Sequence, residues 1–256
     1  MMLEDLKGLR ALVTGSSTGI GAAVAKAYAA NGMRVVVHYK SSEAEANAVA
    51  ADIKAAGGEA HVLQADVADS AQAVDLVNKA ADKLGGLDVL VNNAGALVKR
   101  TPIAEIEDEF FDSVVDLNVR SVVMASKAAL PYLKKSGSKA SVINLSSIAA
   151  RNGGGPGSSL YASSKAFVLN LTRGMAKEFV PFGIRVNGVS PGVIMTPFHE
   201  RYSTAEQIEA MRKTVPMERV GTPQDNVGVF LFLASPAMSG YITGQTIEVN
   251  GGQYMV

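Results

Sequence analysis

Short runs of aliphatic and β-branched residues recur along the chain, and longer, alanine-rich amphipathic stretches separate them. RALVT (10–14), RVVVHY (34–39), AHVLQA (60–65), LDVLVN (87–92), SVINLS (141–146) and IRVNGVS (184–190) are apolar on both faces. That pattern predicts strands of a parallel sheet covered on both sides. Between them lies room for crossover helices. One such stretch carries start and stop signals: Ser42 with Glu45 fits an S-x-x-E capping box, and Gly57-Gly58 supplies a left-handed exit. Regular strand–helix alternation implies an α/β, doubly wound sheet with right-handed crossovers. No linker-like or low-complexity stretch interrupts it, so one domain over 1–256 is expected. The Gly-dense run GGGPG (153–157) falls between a strand and a helix, where a site loop fits better than a boundary.

Composition narrows the partners. The 256 residues are 48% hydrophobic, ample for a buried core, and 24 basic residues balance 24 acidic ones. No net field favours nucleic acid or an anionic membrane. The absence of cysteine removes disulfides and thiolate metal sites. Charges at Glu4, Asp5, Lys7 and Arg10 break up the N-terminal segment, and no apolar run approaches the ~18 residues of a membrane span, so a cytoplasmic protein is expected. His38, His61 and His199 are scattered without an H-x-x-x-H pair, which points to packing or surface roles and to no metal site.

The stretch LVTGSSTGIGAAVA (12–25) fits two templates. Gly15 to Gly19 matches G-x-S-x-G, the elbow of a nucleophilic serine, but that elbow needs an oxyanion-hole donor from an earlier strand–helix loop. Too little chain precedes Gly15 to form one. As a dinucleotide turn, the same placement delivers bare glycine backbones and a helix N-terminus to a pyrophosphate, with hydroxyls of Thr14 and Ser16 as additional donors. The spacing G-x-x-x-G-x-G departs from the generic G-x-G-x-x-G.

TGSSTGIG (14–21) resembles the cofactor loop of the short-chain dehydrogenases/reductases, and further motifs follow in that family's order. They are NNAG (92–95), Asn118 in DLNV, Ser146-Ser147, YASSK (161–165), Pro191-Gly192 with Thr196, and ITGQTIEVNGG (242–252). The likeness runs nearly end to end, and the chain is similar to the β-ketoacyl-acyl-carrier-protein reductase-like branch. It implies a single-domain Rossmann-like fold with a seven-stranded parallel sheet, a cofactor half to about residue 140, and a catalytic and lid half beyond.

Tyr161 and Lys165 stand four positions apart, on one helical face, where an ammonium would favour the phenolate. By resemblance, Tyr161 is the general acid in carbonyl reduction and the base in alcohol oxidation, and Lys165 also holds the nicotinamide ribose. Ser147 corresponds to the hydroxyl that stabilises the reacting oxygen, with Ser146 as competitor; the loop to Tyr161 is one residue longer than is usual in the family. Asn118 corresponds to a helix-kink asparagine whose carbonyl holds a relay water. Gly15, Ser17, Thr18, Gly19 and Ile20 would bind pyrophosphate. Asp66 and Val67 would address adenine, Asn92, Asn93, Ala94 and Gly95 the adenosine side, and Pro191, Gly192, Ile194 and Thr196 the nicotinamide.

Cofactor preference is read at the end of the second strand. Tyr39 stands where NAD-preferring relatives usually carry an acid, and Lys40, Ser41 and Ser42 suit a 2′-phosphate, so NADP(H) is expected over NAD(H), with dual use left open by Ser17-Thr18. Arg151, His199 and Arg201 with the GGGPG loop suggest a pocket for a small sugar- or keto-acid-type carbonyl. The alternatives are 3-oxoacyl-acyl-carrier-protein reduction and a non-catalytic dinucleotide sensor or scaffold. The resemblance also implies a homotetramer contacting through helices near 106–135 and 159–180 and the C-terminal segment.

Overall fold

The computed structural model describes residues 3–256, with the side chains at 199–201 outside the description. Seven parallel strands form one sheet in the order β3-β2-β1-β4-β5-β6-β7. They are β1 (Arg10–Val13), β2 (Arg34–Tyr39), β3 (Glu59–Gln64), β4 (Val89–Asn92), β5 (Ser141–Leu145), β6 (Arg185–Pro191) and β7 (Thr246–Val249). The six expected strands are present with shifts of one or two residues, and ITGQTIEVNGG contributes the seventh.

Period-two alternation divides the core. Ala11 and Val13 of β1 join one apolar cluster and Leu12 the other; Val35 and Val37 of β2 oppose Val36 in the same way. The first cluster is covered by α1 (Gly19–Ala30), α2 (Glu43–Ala55) and α10 (Pro223–Ala234). The second lies under α3 (Ser70–Leu84), α5 (Ser121–Ser136) and α7 (Ser159–Phe179). Both faces are therefore dry, which is why the strands lack polar alternation. The remaining helices are α4 (Asp108–Val115), α6 (Ala149–Asn152), α8 (Pro197–Tyr202), α9 (Ala205–Arg212) and α11 (Pro236–Ser239).

Two local expectations are corrected. Ser42 occupies the N-cap position of α2 but makes no side-chain capping bond, although Gly57 does leave the helix with φ +83°. The long helix expected over 106–135 is divided into α4 and α5 by a π-turn at Asp116–Arg120. No helix among the described residues is long and apolar enough to cross a membrane.

Candidate active site

β1 and β4 are neighbours whose outgoing connections diverge to opposite sides of the sheet, and a crevice opens at their carboxyl ends. Thr14 stitches its two walls together. Its Oγ1 accepts from the amides of Asn93 and Ala94, both at 3.0 Å, and donates to the Val91 carbonyl at 3.2 Å. Asn93 answers by donating Nδ2 to the carbonyls of Thr14 and Gly15 at 2.8 and 2.9 Å. A Cβ on Gly15 would lie 3.0 Å from the Ala94 backbone, and one on Gly21 2.5 Å from the Gly15 carbonyl. Only glycine permits that approach.

The hydroxyls of Thr14 and Ser16, expected to face a pyrophosphate, are consumed inside this packing. Ser16 is fully buried, donating to the Val13 carbonyl at 2.6 Å and accepting from the His38 amide at 2.9 Å. Asn92 is likewise turned away from the crevice: it donates to Ser126 and Asn144, and Asn144 donates to Thr172 beneath the sheet. Ser17, Thr18, Gly19 and Ile20 are left at the rim. Thr18 precedes α1 without capping it by its side chain, so the first-turn amides of α1 are available to an anion. This cradle of bare glycines and open amides fits a dinucleotide pyrophosphate.

Toward β3 the rim carries Tyr39, Lys40 and Ser41, and then Asp66, with Val67 buried behind it. Lys40 Nζ pairs with Asp66 Oδ2 at 2.7 Å, so two residues expected to address different parts of a cofactor are partners. Partial desolvation and the nearby Glu43 carboxylate raise the pKa of Tyr39. His38 is buried among backbone groups rather than merely packed: its Nδ1 accepts from the Gly15 amide at 2.8 Å, and its Nε2 meets the Ala65 carbonyl at 3.1 Å. Motif reading passed over it because its partners lie 23 and 27 positions away.

On the other side of the crevice, the Ser147 hydroxyl acts on the Tyr161 phenol, favouring its ionised form, whereas Ser146 is buried and donates to the Lys165 carbonyl at 2.9 Å. Lys165 is buried with Nζ donating to the Leu145 carbonyl at 2.9 Å and lying 5.9 Å from the centre of the Tyr161 ring. Asn118 sits in the π-turn; its Oδ1 accepts from the Ala96 amide at 3.1 Å and its Nδ2 donates to the Ala96 and Val114 carbonyls. Gly95 fits between the two, for a Cβ there would stand 2.7 Å from Asn118 Oδ1 and 2.9 Å from Lys165 Nζ.

Burial pushes the Tyr161 phenol up to about 12, with the Ser147 hydroxyl opposing, and pushes Lys165 down to about 8. The expected depression of the phenol by its neighbouring ammonium is therefore not found. Desolvation outweighs a charge nearly 6 Å from the ring.

A lid follows β6. Ile194 bridges Gly221, and the methyl of Thr196 would lie 3.3 Å from a Cβ on Gly19, bringing the lid base to the glycine loop. The Gly192 amide donates to the Val249 carbonyl, and the Pro191 carbonyl accepts from the Ile148 amide. Phe198 stacks at a tilt on Tyr161, with centroids 5.7 Å apart, and meets Tyr202 edge-on at 5.1 Å. Arg151, expected in the substrate pocket, instead pairs with Glu248 of β7 at 3.3 Å; the side chains of His199 and Arg201 lie outside the described residues. Arg100, which the motifs did not flag, donates Nε to the Tyr202 carbonyl and Nη1 to the Pro156 carbonyl, both at 3.0 Å. It thereby staples the lid to the GGGPG loop.

The family model described as enoyl-(acyl carrier protein) reductase matches residues 15–253. Synechocystis sp. has a relative named 3-oxoacyl-[acyl-carrier-protein] reductase that is 41% identical over 96% of both chains. Among solved structures, a short chain dehydrogenase from Burkholderia cenocepacia in complex with NADP is 36% identical, with a TM-score of 0.90 over 97% of this chain and 99% of that one. The NADH-dependent reductase A1-R′ responsible for alginate metabolism is 40% identical, with a TM-score of 0.91 over 99% and 100%. This chain belongs to the short-chain dehydrogenase/reductase family. Like other short-chain dehydrogenases/reductases, it is an NAD(P)-dependent oxidoreductase acting on carbonyl and hydroxyl groups.

The tight seat of Gly95 yields a direct check of this geometry. Gly95→Ala must displace Lys165 or Asn118, and turnover is expected to fall by about tenfold or more, the effect of misplacing a reacting group by about 1 Å, with the melting temperature little changed. Steady-state kinetics and calorimetric melting on the same preparation check both halves.

Proposed function

We propose that the protein reduces the carbonyl of a small, polar sugar- or keto-acid-type compound to a secondary alcohol, reversibly, with NADPH preferred. The observation that carries this reading is the grouping of Ser147, Tyr161 and buried Lys165, its Nζ 5.9 Å from the centre of the Tyr161 ring, at the mouth of a dinucleotide crevice. When bound, the reduced nicotinamide supplies hydride to the carbonyl carbon. Ser147 and Tyr161 would then bind the carbonyl oxygen, and Tyr161 would release its proton to the developing alkoxide. A phenol raised to about 12 is fully protonated at neutral pH, which is the form needed for reduction. Lys165 and the kinked helix at Asn118 would return the proton. Gly15, Ser17, Thr18, Gly19 and Ile20 would hold the pyrophosphate, Asp66 and Val67 the adenine, Asn93, Ala94 and Gly95 the adjoining ribose, and Pro191, Gly192, Ile194 and Thr196 the carboxamide.

A small substrate is favoured by the Arg100 staple, which closes the lid against the GGGPG loop and leaves a guanidinium at the rim. The likeness to the NADH-dependent reductase A1-R′ of alginate metabolism, which includes the lid, supports the sugar-acid part of this reading and not its NADPH preference. A second reading, 3-oxoacyl-acyl-carrier-protein reduction, is favoured by the curated relatives of that name. NADPH preference rests on Lys40: its pairing with Asp66 is solvent-exposed and thus weak, so a 2′-phosphate can take the ammonium over. The fold further supports a homotetramer, since Phe111 of α4, Val123 of α5 and Phe167 of α7 expose apolar surface on the helices of the second face, as do Tyr241 and Met255 near the C-terminus.

Tyr161→Phe is expected to abolish turnover of every carbonyl in a small-molecule library while the protein stays folded and binds NADPH. In the wild type, alcohol oxidation should accelerate with rising pH, by at most about tenfold per unit, because the phenolate is its active form; carbonyl reduction should show no such rise. Turnover of a 3-oxoacyl carrier thioester in preference to sugar and keto acids would displace the first reading in favour of the second. For Lys40→Ala, the ratio of kcat/KM with NADPH to that with NADH should drop about tenfold, the loss of one charge-assisted contact; an unchanged ratio removes Lys40 from recognition. Light scattering on a sizing column should give the mass of a tetramer, and Phe167→Glu should lower it.

A further inference from the structure

His38, near the end of β2, is fully enclosed, and both of its ring nitrogens meet backbone. Nδ1 accepts from the Gly15 amide at 2.8 Å, and Nε2 lies 3.1 Å from the Ala65 carbonyl. An amide can only donate and a carbonyl can only accept, so the ring is held as the neutral tautomer with its proton on Nε2. The same residue also fixes Ser16. Its carbonyl accepts from the Ser16 amide and its amide donates to Ser16 Oγ, both at 2.9 Å. Two successive loop amides, at Gly15 and Ser16, are thus turned inward onto one residue, and the amides that follow are left to face the crevice.

We propose that His38 is a positioning residue for cofactor binding, whose neutral imidazole holds the glycine loop in the shape that receives the pyrophosphate and whose protonation at Nδ1 releases it. A proton on Nδ1 would set a donor against the Gly15 donor, 2.8 Å away, and no rotation of the ring restores both contacts. The charged group acting on the ring is Asp66, on the turn after β3, and Asp66 is itself paired with Lys40 from the end of β2. Burial pushes the imidazole below its ordinary range, with the Ala65 carbonyl and Asp66 opposing. The neutral form therefore prevails at neutral pH, and the release falls on the acid side. This inference rests on the proposed role of the 15–20 loop in holding the cofactor.

The test is calorimetric titration of NADPH into wild-type protein, His38→Asn and His38→Leu from about pH 8 to about pH 5, a range that spans the ordinary imidazole pKa. The asparagine amide oxygen can replace Nδ1 as acceptor and does not titrate. At the alkaline end, His38→Asn should bind within about threefold of wild type and His38→Leu about tenfold or more weakly, the worth of one buried hydrogen bond. On acidification the wild type should lose affinity relative to His38→Asn. That difference cancels the titration of the 2′-phosphate, whose pKa of ~6 is common to both measurements. Superimposable wild-type and His38→Asn profiles, or a folded His38→Leu that binds as tightly as wild type, would overturn the proposal. Failure of the wild type to bind NADPH at any pH would instead overturn the assignment of the loop.

Discussion

The hydroxyl of Thr14 joins the two chain segments that leave the centre of the sheet in opposite directions. By accepting from two amides of the β4 exit and donating to β4 itself, it sets the width of the crevice between them. Asn93 closes the circuit onto the backbone of Thr14 and Gly15. Each buried donor and acceptor in this knot is satisfied, so the crevice is wide enough for a ligand yet held without strain. The glycines at 15 and 21 follow from that closeness. Any side chain there would reopen the stitch, and the first turn of α1 could no longer stand beside the β4 exit.

Across the crevice, charge is managed by burial rather than by pairing. Among the described residues Lys165 has no carboxylate partner; its Nζ donates to the Leu145 carbonyl, and desolvation brings it down to about 8. Tyr161 is driven the opposite way in pKa by the same cause. Both shifts favour the uncharged forms. The site is therefore set as a proton donor with an ammonium of weakened proton affinity behind it. A positive ring bound nearby would lower the proton affinity of both groups, moving Tyr161 toward phenolate and Lys165 further toward the neutral amine. Tyr161 and Lys165 would thereby respond to the charge on a nicotinamide ring, a response that a permanently paired Lys165 would have blunted.

The strands were legible because a sheet buried on both faces writes itself as unbroken apolar runs, such as RVVVHY over β2. The ordered motifs likewise led to Tyr161, Lys165, Ser147 and Asn118, which the fold brings to one side of the crevice. Other features depended on partners distant in sequence. Thr14 and Ser16 look like ligand donors in the loop, yet their acceptors are backbone groups that only the folded sheet brings near. Asn92 and Asn93 are identical neighbours in sequence; the pleat sends one into the core and the other to the loop. DLNVR has no helix breaker, and its π-turn follows from Asn118 reaching across to Ala96. The Lys40–Asp66 pair joins the turns after β2 and β3, and the Arg151–Glu248 pair joins α6 to β7, so neither could be read from spacing.

The substrate side of the site shows how backbone strain is placed. Val98 adopts φ +65°, unfavourable for a β-branched residue, within a tight turn closed by the Lys99 amide on the Leu97 carbonyl. Two residues on, Arg100 delivers its guanidinium between the Tyr202 and Pro156 carbonyls, and the Thr101 amide donates to the Gly157 carbonyl. A relaxed turn at Val98 would carry Arg100 away from those acceptors. The strain is offset by three hydrogen bonds that converge on the lid and the GGGPG loop, and two of them come from a cation. The segment following the NNAG motif is therefore the element through which the β4 exit, already fixed by Thr14, governs how closely the lid can settle over Tyr161.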